Sequence, residues 1–90
     1  MTNNSLLLEV HELFEKYNNV TTKQLKLNLR NVMTKHDYTP EMVYSVLNLK
    51  RNTFYSMLNF KNLQRISLEI IVQMSIKFNI DIEEFLKKEL

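Results

Sequence analysis

Between Lys50 and Asn59 the chain sets Lys50, Arg51, Asn52, Tyr55, Ser56 and Asn59 at spacings that share the outer face of a helix, while Leu49, Phe54, Met57 and Leu58 fall on the inner face. Such an outer face suits hydrogen bonding to a patterned polar surface. In the major groove of a duplex, Arg donates two parallel hydrogen bonds to guanine O6 and N7, and Asn pairs bidentately with adenine N6 and N7; each good pair is worth about 1–3 kcal/mol of discrimination. Arg51 and Asn52 are therefore the leading base-reading candidates, with Tyr55 and Ser56 beside them. Tyr55 has a second reading, as a side chain packed partly on the core. Lys50, Asn59, Lys61 and Asn62 flank this helix as phosphate-binding candidates, and Thr39 joins them at the free N–H groups that open the preceding helix. Lys35 and Arg65 read as ordinary surface charge.

Other chemistries find little support. The chain has no Cys, which excludes disulfides, thiolate metal sites and thiol nucleophiles. His11 and Glu15 fall at i and i+4 on one helix, but two ligands without a third read as an exposed pair, so no metal is expected. His36-Asp37 reads as a polar helix end. There is no phosphate loop, nucleophile elbow or carboxylate constellation, so no catalytic residue and no cofactor is assigned and the chain is not expected to be an enzyme. No apolar run could span a bilayer, and Met1-Thr2-Asn3-Asn4-Ser5 lacks the basic region of a secretory signal; the expectation is a cytoplasmic protein with no membrane partner.

The elements that must position the outer face follow from caps and apolar spacing. Ninety residues, 44% of them hydrophobic, suit one domain with one core. Ser5 caps a first helix through about Tyr17, with Leu6, Leu7, Val10, Leu13, Phe14 and Tyr17 on its apolar stripe. Thr21 or Thr22 begins a second through about Lys35, whose inward stripe is Leu25, Leu29, Val32 and Met33. Thr39 followed by Pro40 signals a helix start twice over, and that helix runs to Leu47. Asn48, which tolerates the left-handed conformation, turns the chain into the helix from Lys50 to Asn59. Ser67 caps a fifth helix bearing Leu68, Ile71, Val72, Met74, Ser75 and Phe78. Asp81-Ile82-Glu83-Glu84 has capping-box spacing and opens a sixth, with Phe85 and Leu86 inward. The chain contains no glycine, and Asn is expected to serve at helix ends in its place: Asn48, Asn79 and the Asn18-Asn19 pair. No segment alternates with period two for long enough to make a strand, so the fold class is all α.

Charge is unevenly spread. Residues 1 to 20 carry a net −2, residues 21 to 65 carry +6 and residues 66 to 90 carry −2. The positive midsection covers the segment suspected of touching a polyanion, as the electrostatic part of DNA binding requires.

Taken in order, several stretches resemble the lambda repressor and Cro type of helix-turn-helix protein, the XRE family, over roughly residues 23 to 86. They are Leu29-Arg30-Asn31-Val32-Met33, Tyr38-Thr39-Pro40-Glu41, Leu47-Asn48-Leu49, Arg51 to Met57, Ile66-Ser67-Leu68-Glu69 and Phe78 to Phe85. The sequence departs from the family pattern at three places. Tyr44 stands where a small Ala is usual, so either the helix crossing is wider or the ring swings outward. Lys50 replaces the usual Ser cap of the recognition helix. A buried Arg–Glu pair common in the family matches Met33 and Leu58, so both partners have become apolar.

The resemblance implies a five-helix lambda repressor-like helix-turn-helix domain over residues 21–90, with residues 1–20 an accessory N-terminal helix. It implies a sequence-specific double-stranded DNA-binding transcriptional regulator, expected to be a repressor, that reads the major groove with residues 50–59. A composition rich in Asn, Lys and Ile fits an AT-rich genome such as that of a bacterium, phage or mobile element. Family members usually bind as homodimers. The stripe Leu6, Leu13, Phe14 and Tyr17 is one candidate dimer surface, with the alternative that this helix folds back over its own core; Ile82, Phe85 and Leu90 form the competing surface. The rival function is a helix-turn-helix-like adaptor with a regulatory protein partner, such as an antirepressor, antitoxin or phage-encoded inhibitor.

Overall fold

Three helices of this chain end on residues in the left-handed region, and none of the three is glycine: Asp37 (φ 59°), Asn48 (φ 55°) and Asn79 (φ 54°). Each closes the same way. At Asn48, the Leu49 N–H donates to the Tyr44 carbonyl and the Asn48 N–H to that of Ser45; Tyr38 and Asp37, then Ile80 and Asn79, repeat the pattern onto Met33 and Thr34, then Ser75 and Ile76. This is the Schellman closure, which satisfies carbonyls that a helix end leaves unpaired. Asn48 and Asn79 match expectation. The third position is Asp37 and not Asn18 or Asn19, because the first helix runs straight to Asn18 and its end is closed differently.

A computed structural model describes the backbone over residues 2–88 and the side chains over residues 8–88. Within them lie five α-helices and no strand: α1 Thr2–Asn18, α2 Thr22–Lys35, α3 Pro40–Val46, α4 Arg51–Leu58 and α5 Leu68–Lys77. The expected sixth helix is a single 3-10 turn, Ile82–Glu84. Asp81 does cap it by accepting from the Glu83 N–H, the i to i−3 bonds run on through Phe85 and Leu86, both buried, and Asn28 then takes the Phe85 and Lys87 carbonyls that a longer helix would use. At the other end, α1 begins at Thr2, so Ser5 lies inside the helix and is not its cap. The remaining N-caps are as read. Thr21, Thr39 and Ser67 accept from the N–H groups of Gln24, Met42 and Ile70, whereas Lys50 opens α4 with no side-chain cap.

One core joins all the helices. Leu25, Leu29, Val32 and Met33 of α2 meet Val43 and Leu47 of α3, Phe54, Met57 and Leu58 of α4, and Ile71 and Met74 of α5, with Ile80, Phe85 and Leu86 closing the floor. Val43 and Phe54 are fully buried. Tyr44 does not swing outward: its ring lies half-buried against Phe54, centroids 6.2 Å apart. Met33 and Leu58 are both buried apolar residues lining one shallow depression between α2 and α4.

Two buried polar residues on α2 were not expected. Asn28 donates 2.9 Å hydrogen bonds to the Phe85 and Lys87 carbonyls, which ties the C-terminal segment down. Lys26 is 1% exposed.

Candidate nucleic-acid interface

The turn at Asn48 decides how α4 is presented. Leu47 and Leu49 on either side of it face inward, so the chain reverses over two residues and α4 packs on both α3 and α2. Phe54, Met57 and Leu58 then lock one face of α4 into the core. The opposite face is what remains for solvent.

On that face Arg51, Asn52 and Tyr55 are exposed and Ser56 is half-buried. The Arg51 guanidinium lies over the Tyr55 ring, 5.5 Å from its centroid, and Tyr55 is 44% exposed, so its main role is not core packing. Asn52 and Ser56 line a groove completed by Thr53 and, from the following segment, Gln64, Arg65 and Ser67. Lys50 and Lys61 are exposed at the two ends of α4.

The loop after α4 uses its asparagines to hold its own shape. The Asn59 Oδ1 accepts from the Lys61 N–H (3.0 Å) and the Asn62 Oδ1 from the Gln64 N–H (2.8 Å), so each side chain is fixed with its amide Nδ2 as the group left for an anion. Thr39 is similar: its hydroxyl oxygen accepts from the Met42 N–H and its hydroxyl proton is left over. The same loop exposes Phe60 and Leu63, the latter at 88%.

Half of the eight cations in the basic midsection are engaged within the fold. Lys26 donates to the Ser56 and Met57 carbonyls at 3.3 and 2.8 Å, and Arg30 to the Leu58 carbonyl from Nε and a terminal nitrogen at 3.0 and 2.6 Å while lying 4.6 Å over the Phe60 ring. Lys35 pairs with Glu84 at 2.5 Å. Arg65 stacks on Tyr17 at 4.3 Å and donates to the Tyr17 carbonyl. Lys35 and Arg65 are thus structural, whereas Lys50, Arg51 and Lys61 remain on the surface beside the groove. Burial, and then the neighbouring Arg30 charge, push the Lys26 ammonium below its ordinary pKa. Sequence reasoning passed over Lys26 altogether. The available signal was spacing: Lys26, Arg30 and Met33 lie at i, i+4 and i+7, the flank on which the buried Met33 sits.

The stripe on α1 divides. Leu13 and Tyr17 pack against the core, and the Tyr17 hydroxyl donates to the Ile66 carbonyl at 2.6 Å. Phe14 is 51% exposed, with Leu8 and Val10 exposed on the same helix; the Leu6 side chain lies outside the described residues, as does Leu90. Of the competing surface, Ile82 is half-buried and Phe85 buried in the protein's own core. His11 and Glu15 form an exposed pair at 3.1 Å, and among the described residues no three His, Asp or Glu side chains gather where a metal could sit. Among the described residues no helix is long and apolar enough to cross a membrane.

Comparison of the chain with family models, with curated proteins and with solved structures gave no match.

Proposed function

We propose that this chain is a sequence-specific double-stranded DNA-binding regulator of the helix-turn-helix kind, a repressor of bacterial, phage or mobile-element origin, with α3 and α4 as the two helices of the motif. The observation that carries the reading is the division of α4. Phe54, Met57 and Leu58 are buried on one side, while Arg51, Asn52 and Tyr55 stand exposed on the other, near its N-terminal end. A recognition helix enters the major groove with its N-terminal residues against base edges. Arg51 and Asn52 then read bases, Tyr55 and Ser56 add contacts, and Lys50, Lys61, Thr39, Asn59 and Asn62 grip phosphates, which positions the helix without specifying sequence.

A pool of random duplexes selected on the protein identifies the preferred site, and an Arg51→Ala, Asn52→Ala variant is then titrated against that site and against random duplex. Each lost bidentate contact removes about 1–3 kcal/mol of preference. Affinity for random duplex falls far less, because phosphate contacts supply it. Equal loss on both duplexes would refute base reading by these two side chains.

Operator recognition by so small a domain calls for a homodimer, and the exposed Phe14 and Val10, one turn apart on α1, offer the surface. Phe14→Asp leaves the Leu13 and Tyr17 anchors in place and shifts sedimentation toward monomer; an unchanged dimer moves the interface elsewhere. The adaptor reading draws on one observation, the exposed Phe60 and Leu63 beside α4, which suit a protein partner. Wild-type protein that ignores duplex even at low salt favours it.

A further inference from the structure

The C-terminus of α4 is built unlike those of α2, α3 and α5. Where they turn into the left-handed region, α4 runs on into extended backbone at Asn59 (φ −77°, ψ 118°), so no Schellman closure takes up its last carbonyls. At the other end Lys50 supplies no side-chain cap. Eight residues with no side-chain cap at the start and no Schellman closure at the end do not hold a helix by themselves, since short helices depend on tertiary contacts. The Asn59 N–H takes the Tyr55 carbonyl and shares that of Ser56, and what occupies the Met57 and Leu58 carbonyls comes from α2. Lys26 takes those of Ser56 and Met57, and Arg30 takes that of Leu58. Both cations face the negative end of the helix dipole, which favours them there.

Lys26 is an expensive choice for a merely filling residue. A buried ammonium loses hydration, and the partners assigned to it here are backbone carbonyls, not a carboxylate. An apolar side chain of similar length would fill the space, as Met33 does on the same flank. The cation is useful only for what it holds, and it holds the turn that contains Ser56 and adjoins Tyr55.

We propose that Lys26 and Arg30 are positioning residues for the reading face: from α2 they clamp the last turn of α4, fixing the angle at which Arg51, Asn52, Tyr55 and Ser56 are presented. The clamp is a claim about α4 itself, and its consequence for recognition rests on the DNA-binding reading above. Met33 and Leu58 on the same two helices are buried and apolar, and the cation-to-backbone bonds lie beside them.

Lys26→Met keeps the length of the side chain and removes the charge; Arg30→Met removes the exposed member and serves as the second variant should the first not fold. Amide hydrogen exchange is followed at Met57, Leu58 and Asn59, with Val32 and Met74 as core references. Either variant speeds exchange at the first three about tenfold or more and leaves the references within about threefold. In duplex titrations the preference for the selected site over random duplex falls about tenfold, while affinity for random duplex changes less than threefold. A purely structural role would slow or speed all of these sites together and weaken both duplexes alike. Unchanged exchange in the last turn of α4 overturns the clamp, and faster exchange with full preference retained overturns its role in reading. Exchange decides the clamp even where wild-type protein binds no duplex, so failure of the DNA-binding reading is told apart from failure of this one.

Discussion

Beside the Asn28 bonds, Glu84 gives the C-terminal turn a charged contact with the end of α2. Lys35 donates to its Oε1 at 2.5 Å, and His36 Nε2 lies 3.6 Å from its Oε2. The hydrogen bond from Lys35 holds the carboxyl below its ordinary pKa, partial desolvation works against it, and the charge of Lys35 and the approach of His36 add to the lowering. A carboxyl with a lowered folded pKa binds its proton more readily in the unfolded chain. Its contribution to stability is therefore present at neutral pH and is lost as pH falls below about 4.3 and through the lower folded value. Glu84→Gln should melt below wild type at pH 7, and the gap in melting temperature should close through that acid window. A gap that stayed constant with pH would mean the ion pair contributes nothing. Asp81 and Ser67 show the same scale from the readable side, since each caps the element that its position in the sequence predicts.

At the scale of elements, helix ends separate what is local from what is not. The closures at Asp37, Asn48 and Asn79 are made within six residues of chain, and an Asn between an apolar helix end and a hydrophobic residue announces two of them. Asn48→Ala should cost about 1–2 kcal/mol in urea unfolding, because a Cβ without a compensating side chain is penalised in the left-handed region. Asn48→Gly should cost less than Asn48→Ala. Equal losses from both would show that the Asn side chain, not its backbone conformation, matters. The ends of α1 and α4 add long-range bonds to their local ones, α1 from Arg65 and α4 from Lys26 and Arg30, and Lys77 adds a bond to the Val46 carbonyl of α3 at 3.2 Å. Spacing places Lys26 on the flank of the buried Met33, but it does not name the carbonyls that Lys26 reaches. A backbone carbonyl has no signature in a sequence, and a lysine that reaches one looks the same as a lysine in solvent. The shortening of the sixth helix to one turn has a related cause, since capping residues favoured a start but Asn28, from α2, takes the Phe85 and Lys87 carbonyls.

For the whole molecule the consequence is a smaller electrostatic footprint than the net +6 over residues 21 to 65 suggests. Lys26, Arg30, Lys35 and Arg65 are each bonded to a carbonyl or carboxylate of the protein itself, leaving Lys50, Arg51 and Lys61 beside the candidate groove. On the proposed function, the two phosphate-gripping cations Lys50 and Lys61 give a log–log salt slope for duplex binding of about −2 per protomer, not the roughly −7 of a site using every midsection cation. A fitted slope near the larger figure would mean that the internal cations swing out on binding. The docking of α1 belongs to this scale too. Leu13 and Tyr17 serve the protein's own core while Phe14 does not, a division that helical periodicity cannot make, because all three lie on one broad apolar stripe.

The sequence by itself determined the elements that local physics governs: the helix class, the caps at Thr39 and Ser67, the reversal at Asn48, and the inward set of Phe54, Met57 and Leu58 that leaves Arg51 and Asn52 outside. These follow from bonds and periodicities spanning a few residues, which residue types encode directly. Only the tertiary structure decided which cations are surface charge and which are parts of the fold. That distinction depends on where distant carbonyls and carboxylates arrive once the helices have packed, and pairwise proximity across 28 or more residues is written in no local pattern.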